Sequence, residues 1–169
     1  MTKTVAILVE KDFQDMEVMY PYYRLKEAGH TVVVLGSGSA DAYSGKFGYP
    51  IKVDKKAEQV SASDFDALVI PGGWSPDFMR RYPAMVQLVA DMDKAKKPVA
   101  AICHAGWMLV SAKILNGRKV TSFFAIRDDV EAAGANWVDE SVVVDGNLIT
   151  SRNPDDLPGF MQALLRQLI

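Results

Sequence analysis

The sequence contains a single cysteine, Cys103, and only two histidines among its 169 residues. One cysteine cannot form an internal disulfide, which fits a reducing cytoplasm. One cysteine and two histidines also cannot build a standard structural zinc site, which takes four cysteine or histidine ligands. The sequence therefore excludes a disulfide scaffold, and we expect no structural metal.

The chain also lacks a long hydrophobic run and a strong excess of either charge. No segment approaches the ~20 apolar residues of a membrane-spanning helix, and Met1-Thr2-Lys3-Thr4 leads directly into a short strand-like run. We therefore expect no signal peptide, no membrane span and a cytoplasmic location. The net charge of -2 gives no reason to expect nucleic acid as a partner. The remaining composition, 49% hydrophobic and 24% charged residues, predicts one globular domain over residues 1–169.

Short apolar, β-branched runs alternate along the chain with segments of helical periodicity. Such runs are typical of strands buried on both faces, as in parallel sheets. The pattern predicts strands at residues 5–9, 31–35, 66–70, 98–102 and 119–122, and a hairpin over 142–150. It predicts helices at residues 16–28, from Pro76 through Met92, at 108–115, at 126–133 and from Pro154 to the end. This alternation predicts an α/β fold with a doubly wound, mostly parallel sheet and helices on both faces.

Cys103 lies where one of these strands turns into a helix, and His104 follows it directly. A lone cysteine is more often a small buried hydrophobic residue than a reactive one. A sharp strand-to-helix turn, however, lifts its side chain clear of the sheet, and unpaired N–H groups at the helix start favour a thiolate. The adjacent histidine can act as base or acid. We interpret the turn as a nucleophile elbow and expect a lowered pKa for Cys103.

Two other segments directly follow strands of the predicted sheet, so they lie at the same edge as Cys103. Ligands of such folds bind at this edge, beyond the carboxyl ends of the strands. Gly72-Gly73 follows one strand, and its N–H groups can form an oxyanion hole with that of His104 or simply make a tight turn. Glu17 follows the first strand, either as a solvated helix-start carboxylate or as a protonated partner of the thiol.

Three more residues flank this edge in sequence. Asp77 is a first-turn acid beside Pro76, a position that the helix dipole favours for a solvated carboxylate. Trp74 and Trp107 lie on either side of the predicted site. They can line a binding pocket or pack as ordinary large aromatic residues.

Four segments of the chain form a set of motifs: residues 12–21 (DFQDMEVMYP), 66–73 (DALVIPGG), 101–104 (AICH) and 150–157 (TSRNPDDL). Together they resemble the ThiJ/PfpI superfamily, most closely its PfpI-like intracellular protease branch. The resemblance covers essentially the whole chain. It implies a flavodoxin-like fold and a homo-oligomer, either a dimer or a trimer of dimers.

The resemblance also implies roles for individual residues. Cys103 matches the nucleophile, Glu17 the carboxyl that contacts its sulfur, and the amides of Gly73 and His104 the oxyanion-hole donors. Asp77 matches the position of a glutamate that completes a Cys-His-acid triad from the neighbouring subunit.

The chain departs from the family pattern at several positions. Asp77 is one methylene shorter than that glutamate. Gln14 replaces a frequent acid, Phe123 a frequent tyrosine, and residues 105–107 (AGW) a common Gly-Pro. These replacements are expected to alter the reach of the acid and the shape of the pocket.

The resemblance leaves three functions open, because one fold carries many activities. The leading hypothesis is a cysteine-dependent enzyme that acts without a cofactor on small reactive carbonyls or their protein adducts, for example converting methylglyoxal to lactate. The second is an intracellular cysteine peptidase. The third is a non-enzymatic oxidative-stress sensor or chaperone that works through oxidation of Cys103.

Overall fold

The computed structural model describes all 169 residues, in eleven strands and six α-helices. The strands are β1 (Thr4–Val9), β2 (Thr31–Gly36), β3 (Ala42–Ser44), β4 (Pro50–Lys52), β5 (Lys55–Lys56), β6 (Ala67–Ile70), β7 (Val99–Ile102), β8 (Lys119–Val120), β9 (Asn136–Trp137), β10 (Val142–Asp145) and β11 (Leu148–Ser151). The helices are α1 (Asp15–Glu27), α2 (Ser75–Met79), α3 (Pro83–Lys94), α4 (Gly106–Ser111), α5 (Arg127–Ala132) and α6 (Leu157–Gln167). None of these helices combines the length and the apolar character that crossing a bilayer would require.

Seven strands form the central sheet in the order β10-β11-β7-β6-β1-β2-β5. All neighbours pair in parallel except β10 and β11, which form an antiparallel hairpin. Gly146 turns this hairpin with a φ of 59°, a left-handed conformation that glycine adopts without steric cost. The predicted α/β fold with a mostly parallel sheet and the predicted C-terminal hairpin are both confirmed.

Successive residues of the central strands point into two hydrophobic cores, one on each face of the sheet. In β1, Ala6 and Leu8 face the core that α2, α3, α4 and α5 cover. Val5, Ile7 and Val9 face the core that α1 and α6 cover. This alternation follows from the two-residue period of a strand, and it explains why β1 is apolar at every position.

Two parts of the predicted element pattern are wrong. The helix expected from Pro76 through Met92 is split into α2 and α3, because Pro83 has no N–H to donate and Tyr82 before it is extended (φ −110°, ψ 108°). The segment expected as a strand over 119–122 contributes only β8, which pairs with β9 in a separate two-stranded sheet. By contrast, Pro21 does not interrupt α1.

The four central strands β11, β7, β6 and β1 are parallel and adjacent, so their carboxyl ends meet at one edge of the sheet. The segments that follow them begin at Arg152, Cys103, Pro71 and Glu10. A site at this edge therefore draws its residues from four separate parts of the chain, as is usual for doubly wound folds.

Candidate active site

Cys103 occupies a sharp turn between β7 and the helical segment that follows it. Ile102 is extended (φ −125°, ψ 146°), whereas Cys103 has a φ of 62° and opens a 3₁₀ turn that continues into α4. A left-handed conformation costs a non-glycine residue about 1–2 kcal/mol. The surrounding structure therefore holds the side chain in a strained position at the sheet edge, as a nucleophile elbow does.

Gly72 lets the turn after β6 come into close contact with this elbow. A Cβ atom on Gly72 would lie 2.7 Å from the Cβ of Cys103 and 2.9 Å from the backbone nitrogen of His104. These separations are below any normal carbon contact, so a side chain at position 72 would displace Cys103. Only glycine fits between the two turns.

Glu17 lies in the first turn of α1 and is fully buried, with 0% of its surface exposed. Its Oε2 atom accepts a hydrogen bond of 2.7 Å from the backbone N–H of Gly72, while Oε1 has no partner. Burial raises the pKa of Glu17 to about 8, and the hydrogen bond from Gly72 opposes that rise only partly. Glu17 is therefore protonated at neutral pH, and Oε1 is the free position for the proton.

Cys103 is 7% exposed, and its thiol lies next to Glu17 and His104. Burial, and after it charge on Glu17, raises the pKa of Cys103 to about 12, whereas the N–H groups of Gly73 and His104 lower it. The expected lowering of this pKa is thus wrong for the resting site, because burial outweighs the few N–H donors at the short helix start. When Glu17 is protonated, it carries no charge that would raise the pKa of Cys103 by repulsion.

His104 is the base within reach of the thiol, since its Nδ1 atom lies 3.1 Å from Sγ of Cys103. Burial, followed by the positive charge of Lys46, lowers the pKa of His104. The imidazole is therefore neutral at neutral pH and can accept a proton from the thiol. The ring stacks on Phe123 at a centroid distance of 4.8 Å, which fixes its orientation.

A cavity of about 170 Å³ opens onto this pair of residues. Its lining residues come from all four strand ends, from the loop after β3 and from the segment after β8: Gln14, Lys46, Gly73, Trp74, Cys103, His104, Phe123, Asn153 and Pro154. Sequence reasoning did not assign Lys46 or Asn153 to the site. The turn between Gly45 and Gly48 was visible as a glycine-rich segment, but nothing local indicated that it folds over Cys103.

The structure separates the predicted site residues into those at the cavity, Gly72 behind it, and two residues that lie apart from it. Cys103, His104, Glu17 and Gly73 come together, and Trp74 lines the cavity while remaining 57% exposed. The N–H of Gly72 is already bound to Glu17, so the expectation that it faces a reacting oxygen is wrong. The N–H groups of Gly73, whose φ is 69°, and of His104 remain beside Cys103 and lower its pKa.

Trp107 and Asp77 lie apart from the cavity within one chain. The indole N–H of Trp107 donates to Oδ2 of Asp129 at 2.9 Å, and its ring packs against His104 from outside at 5.2 Å. The prediction that Trp107 lines the pocket is wrong, because this hydrogen bond holds it on the neighbouring surface. Asp77 accepts a hydrogen bond of 2.6 Å from Arg81 and has no hydrogen bond to His104.

Comparison with known proteins identifies relatives along nearly the whole chain. A profile described as the DJ-1/PfpI family matches residues 3–167, which confirms the resemblance drawn from the four sequence segments. The deglycase PfpI of Pyrococcus furiosus is 44% identical over 164 residues, covering 97% of this chain and 98% of that protein. The Bacillus subtilis protein YraA, named as a candidate cysteine protease, is 42% identical over 168 residues, covering 99% of both chains.

A solved structure with the same fold comes from Anabaena variabilis. It is a two-domain protein with DJ-1/ThiJ/PfpI-like and ferritin-like domains, and it aligns with a TM-score of 0.97 at 46% identity. The alignment covers 99% of this chain and 48% of that longer chain. The shared part is therefore the DJ-1/ThiJ/PfpI-like fold.

Proposed function

The chain belongs to the DJ-1/PfpI family, and from this premise we propose that it is a cysteine-dependent enzyme acting on small reactive carbonyls or on their adducts with proteins. The observation that carries the proposal is the 3.1 Å separation between Sγ of Cys103 and Nδ1 of a neutral His104, inside a cavity of about 170 Å³. A nucleophile with an adjacent base in a confined, partly apolar space suits a small electrophile. The name of the P. furiosus relative, a deglycase, supports the same substrate class.

In the proposed reaction, the Cys103 sulfur attacks the aldehyde carbon of methylglyoxal while His104 accepts the thiol proton. A C–S bond forms, the carbonyl π bond breaks, and protonation of its oxygen gives a hemithioacetal. The N–H groups of Gly73 and His104 stabilise the negative oxygen as it develops. The proton on the former aldehyde carbon moves to the neighbouring carbonyl carbon, and the hydroxyl proton moves to that carbonyl's oxygen, through an enediol; this converts the hemithioacetal into the thioester of lactate. Water then adds to the thioester carbonyl, the C–S bond breaks, and lactate and the thiol are released. No cofactor is consumed.

The buried carboxyl of Glu17 supports a second candidate, a sensor of oxidative stress. Its unpartnered Oε1 lies in the buried site of Cys103, and the carboxyl is protonated at neutral pH. A carboxyl proton can donate a strong hydrogen bond to an oxygen of a cysteine sulfinate. This role requires no turnover, so it is separable from catalysis.

We also propose that the chain works as a homo-oligomer in which Asp77 reaches the site of a neighbouring subunit. Within one chain, no carboxylate hydrogen bonds to His104. The outer face of α1 exposes apolar side chains, with Met16 at 54% and Tyr23 at 58%, and exposed apolar patches often mark contact surfaces.

One panel of assays tests these proposals. Wild type, Cys103→Ser and Cys103→Ala are incubated with methylglyoxal, and lactate is measured beside the cleavage of fluorogenic peptides. We expect lactate from the wild type, and a rate at least about a hundredfold lower for both variants, because the covalent route is removed. Circular dichroism checks that the variants are folded.

The outcome of the panel decides between the functions. Cysteine-dependent peptide cleavage without lactate would favour a peptidase. Peroxide-dependent addition of two oxygens at Cys103, with no turnover of either substrate, would favour the sensor. Lactate formation that survives Cys103→Ser would contradict the proposed mechanism.

A further inference from the structure

The cavity above Cys103 contains a cationic side chain that no carboxylate neutralises. Lys46 lines the cavity, and it takes part in none of the ion pairs of the chain. Lys46 is exposed, and its ammonium group lies 5.2 Å from the ring centroid of the adjacent Phe47. No aspartate or glutamate is present among the residues that line the cavity. The positive charge is therefore available to a ligand.

The backbone around Lys46 is held in place by several specific contacts. The N–H of Lys46 donates to the carbonyl of Phe13 at 2.9 Å. The carboxylate of Asp15, at the start of α1, accepts the N–H groups of Phe47 at 3.0 Å and Tyr49 at 2.9 Å. A Cβ atom on Gly45 would collide with the same carboxylate. Asp15 thus fixes the lysine loop to the helix that also supplies the Glu17 carboxyl.

Two side-chain amides extend the set of unpaired donors in the cavity wall. Oε1 of Gln14 accepts the N–H of Met16 at 2.7 Å, and Oδ1 of Asn153 accepts the N–H of Asp155 at 3.1 Å. Each amide oxygen is therefore occupied, and neither NH₂ group donates to a protein acceptor in the hydrogen bonds of the chain. Together with Lys46, the wall offers three donor groups and no carboxylate.

We propose that Lys46 is the anion-binding residue of the Cys103 cavity and that it selects carbonyl compounds and adducts that carry a carboxylate. An ammonium group without a counter-ion gains a charge-assisted hydrogen bond when a carboxylate enters, whereas a neutral group of the same size gains none. The charge of Lys46 also reaches the reacting groups, since it lowers the pKa of both Glu17 and His104. The substrate part of this inference rests on the proposed function, but the binding of an anion beside Cys103 does not.

Alkylation with a matched pair of reagents tests the binding step without any turnover. Iodoacetate and iodoacetamide both form a bond between Sγ of Cys103 and a CH₂ carbon while iodide leaves, and they differ only in carboxylate against amide. The quantity measured is the ratio of their rates at Cys103, each relative to its rate with a free thiol. We expect Lys46→Gln to lower this ratio about fivefold or more, because only iodoacetate loses a charged partner.

Two further variants serve as controls for the alkylation. Lys46→Arg keeps the charge and should retain most of the iodoacetate preference. Lys94→Gln removes an exposed lysine at the end of α3. This helix leads into the amino end of β7, whereas Cys103 follows the carboxyl end of that strand, so the variant should leave the ratio unchanged. An unchanged ratio in Lys46→Gln, or an equal fall in Lys94→Gln, would overturn the proposal.

A second pair of compounds tests the substrate preference itself. The methylglyoxal hemithioacetals of N-acetylcysteine and N-acetylcysteine amide differ only in the carboxylate of the carrier. We expect Lys46→Gln to lower the kcat/KM for the carboxylate form more than that for the amide form, because only the carboxylate form loses a charged partner while both are affected by the change at Glu17 and His104. If neither adduct is processed while the alkylation ratio responds to Lys46, the proposed function fails and the anion site stands. If both adducts are processed and Lys46→Gln affects them equally, the anion site fails and the function stands.

Discussion

A hydrogen bond of 2.7 Å joins the backbone N–H of Gly72 to Oε2 of Glu17. The turn after β6 thereby holds a carboxyl supplied by α1 against the base of the nucleophile elbow. The same glycine leaves no room for a side chain, since its Cβ position lies 2.7 Å from both Oε2 of Glu17 and the Cβ of Cys103. One backbone position therefore sets the placement of both Glu17 and Cys103.

Gly72→Ala should reduce turnover strongly while lowering stability only moderately. The added methyl group displaces Cys103 and Glu17, and misplacing a nucleophile by about 1 Å can cost about a hundredfold in rate. Gly117→Ala is the matched control, because the Cβ of Gly117 meets nothing within 4 Å although its φ is 74°. The control should lose about 1 kcal/mol of stability through backbone strain and retain its activity. Equal activity in the two variants would contradict the close contact at Gly72.

Glu17→Gln should become more stable relative to the wild type as the pH rises from 5 to 8. The folded protein retains the Glu17 proton up to a pKa of about 8, whereas the unfolded chain loses it near 4.5. Because the folded state binds more protons in this window, the free energy of unfolding of the wild type falls as the pH rises. Glutamine has no such dependence, so the difference should change by about 3 kcal/mol at 1.36 kcal/mol per pKa unit. Urea unfolding at several pH values measures it.

The control for this pH series is Glu58→Gln, which neutralises an exposed carboxylate far from the elbow in sequence. Its stability relative to the wild type should stay nearly constant between pH 5 and pH 8. A flat series for Glu17→Gln as well would mean that Glu17 is ionised at neutral pH, and its proposed role as a proton donor would then fail.

Most of the fold could be predicted because it depends on local patterns. Four-to-six-residue apolar runs identified β1, β2, β6 and β7, and the Asp145-Gly146-Asn147 turn identified the hairpin. Cys103 could be assigned to an elbow for the same reason, since a strand and a helix meet at that position in the sequence.

The rest of the site could not be predicted because it depends on contacts between distant segments. The backbone N–H of Lys46 donates to Phe13 and that of Phe47 donates to Asp15, and these bonds hold the lysine at the cavity. Contacts of this kind leave no periodic pattern in the sequence. The sequence predicts a lowered pKa for Cys103 because it shows the position of the residue at a helix start, whereas it shows neither the burial of the thiol nor the charge of Glu17, which raise that pKa. The sequence also does not show that Trp107 lies outside the cavity, because the residue that holds it there, Asp129, is 22 positions away along the chain.

The two tryptophans near the elbow should respond differently to substitution. Trp74 lines the cavity, so Trp74→Ala should raise the KM for a carbonyl substrate about fivefold through lost apolar contact. Trp107→Phe removes the hydrogen bond to Asp129 and should cost about 1 kcal/mol of stability while leaving the KM unchanged. Steady-state kinetics and thermal unfolding of both variants separate these effects. A raised KM in Trp107→Phe would place that ring at the substrate.

The proposed contribution of Asp77 across a subunit interface predicts that activity belongs to the oligomer. Within the chain, Asp77 pairs with Arg81 at 2.6 Å on an exposed surface, and such pairs contribute little to stability. Asp77→Asn should therefore remain folded and assembled. It should lose turnover, because the partner's His104 is deprived of the acid that would stabilise its protonated form.

Mixed oligomers of Asp77→Asn and Cys103→Ser chains give the decisive test. In a dimer with one chain of each kind, one site combines an intact Cys103 with an intact Asp77 from the other chain, and the second site lacks both. A two-fold interface exchanges the same residues in both directions. Random mixing of equal amounts makes about half of the dimers mixed, and one of the two sites in each is intact, so about a quarter of all sites are restored. If Asp77 acted on its own chain, no site would contain both residues and activity would stay at the level of the separate variants. Native mass spectrometry of differently tagged chains establishes that the mixed dimers form, so an absence of restored activity in their presence would refute the shared site.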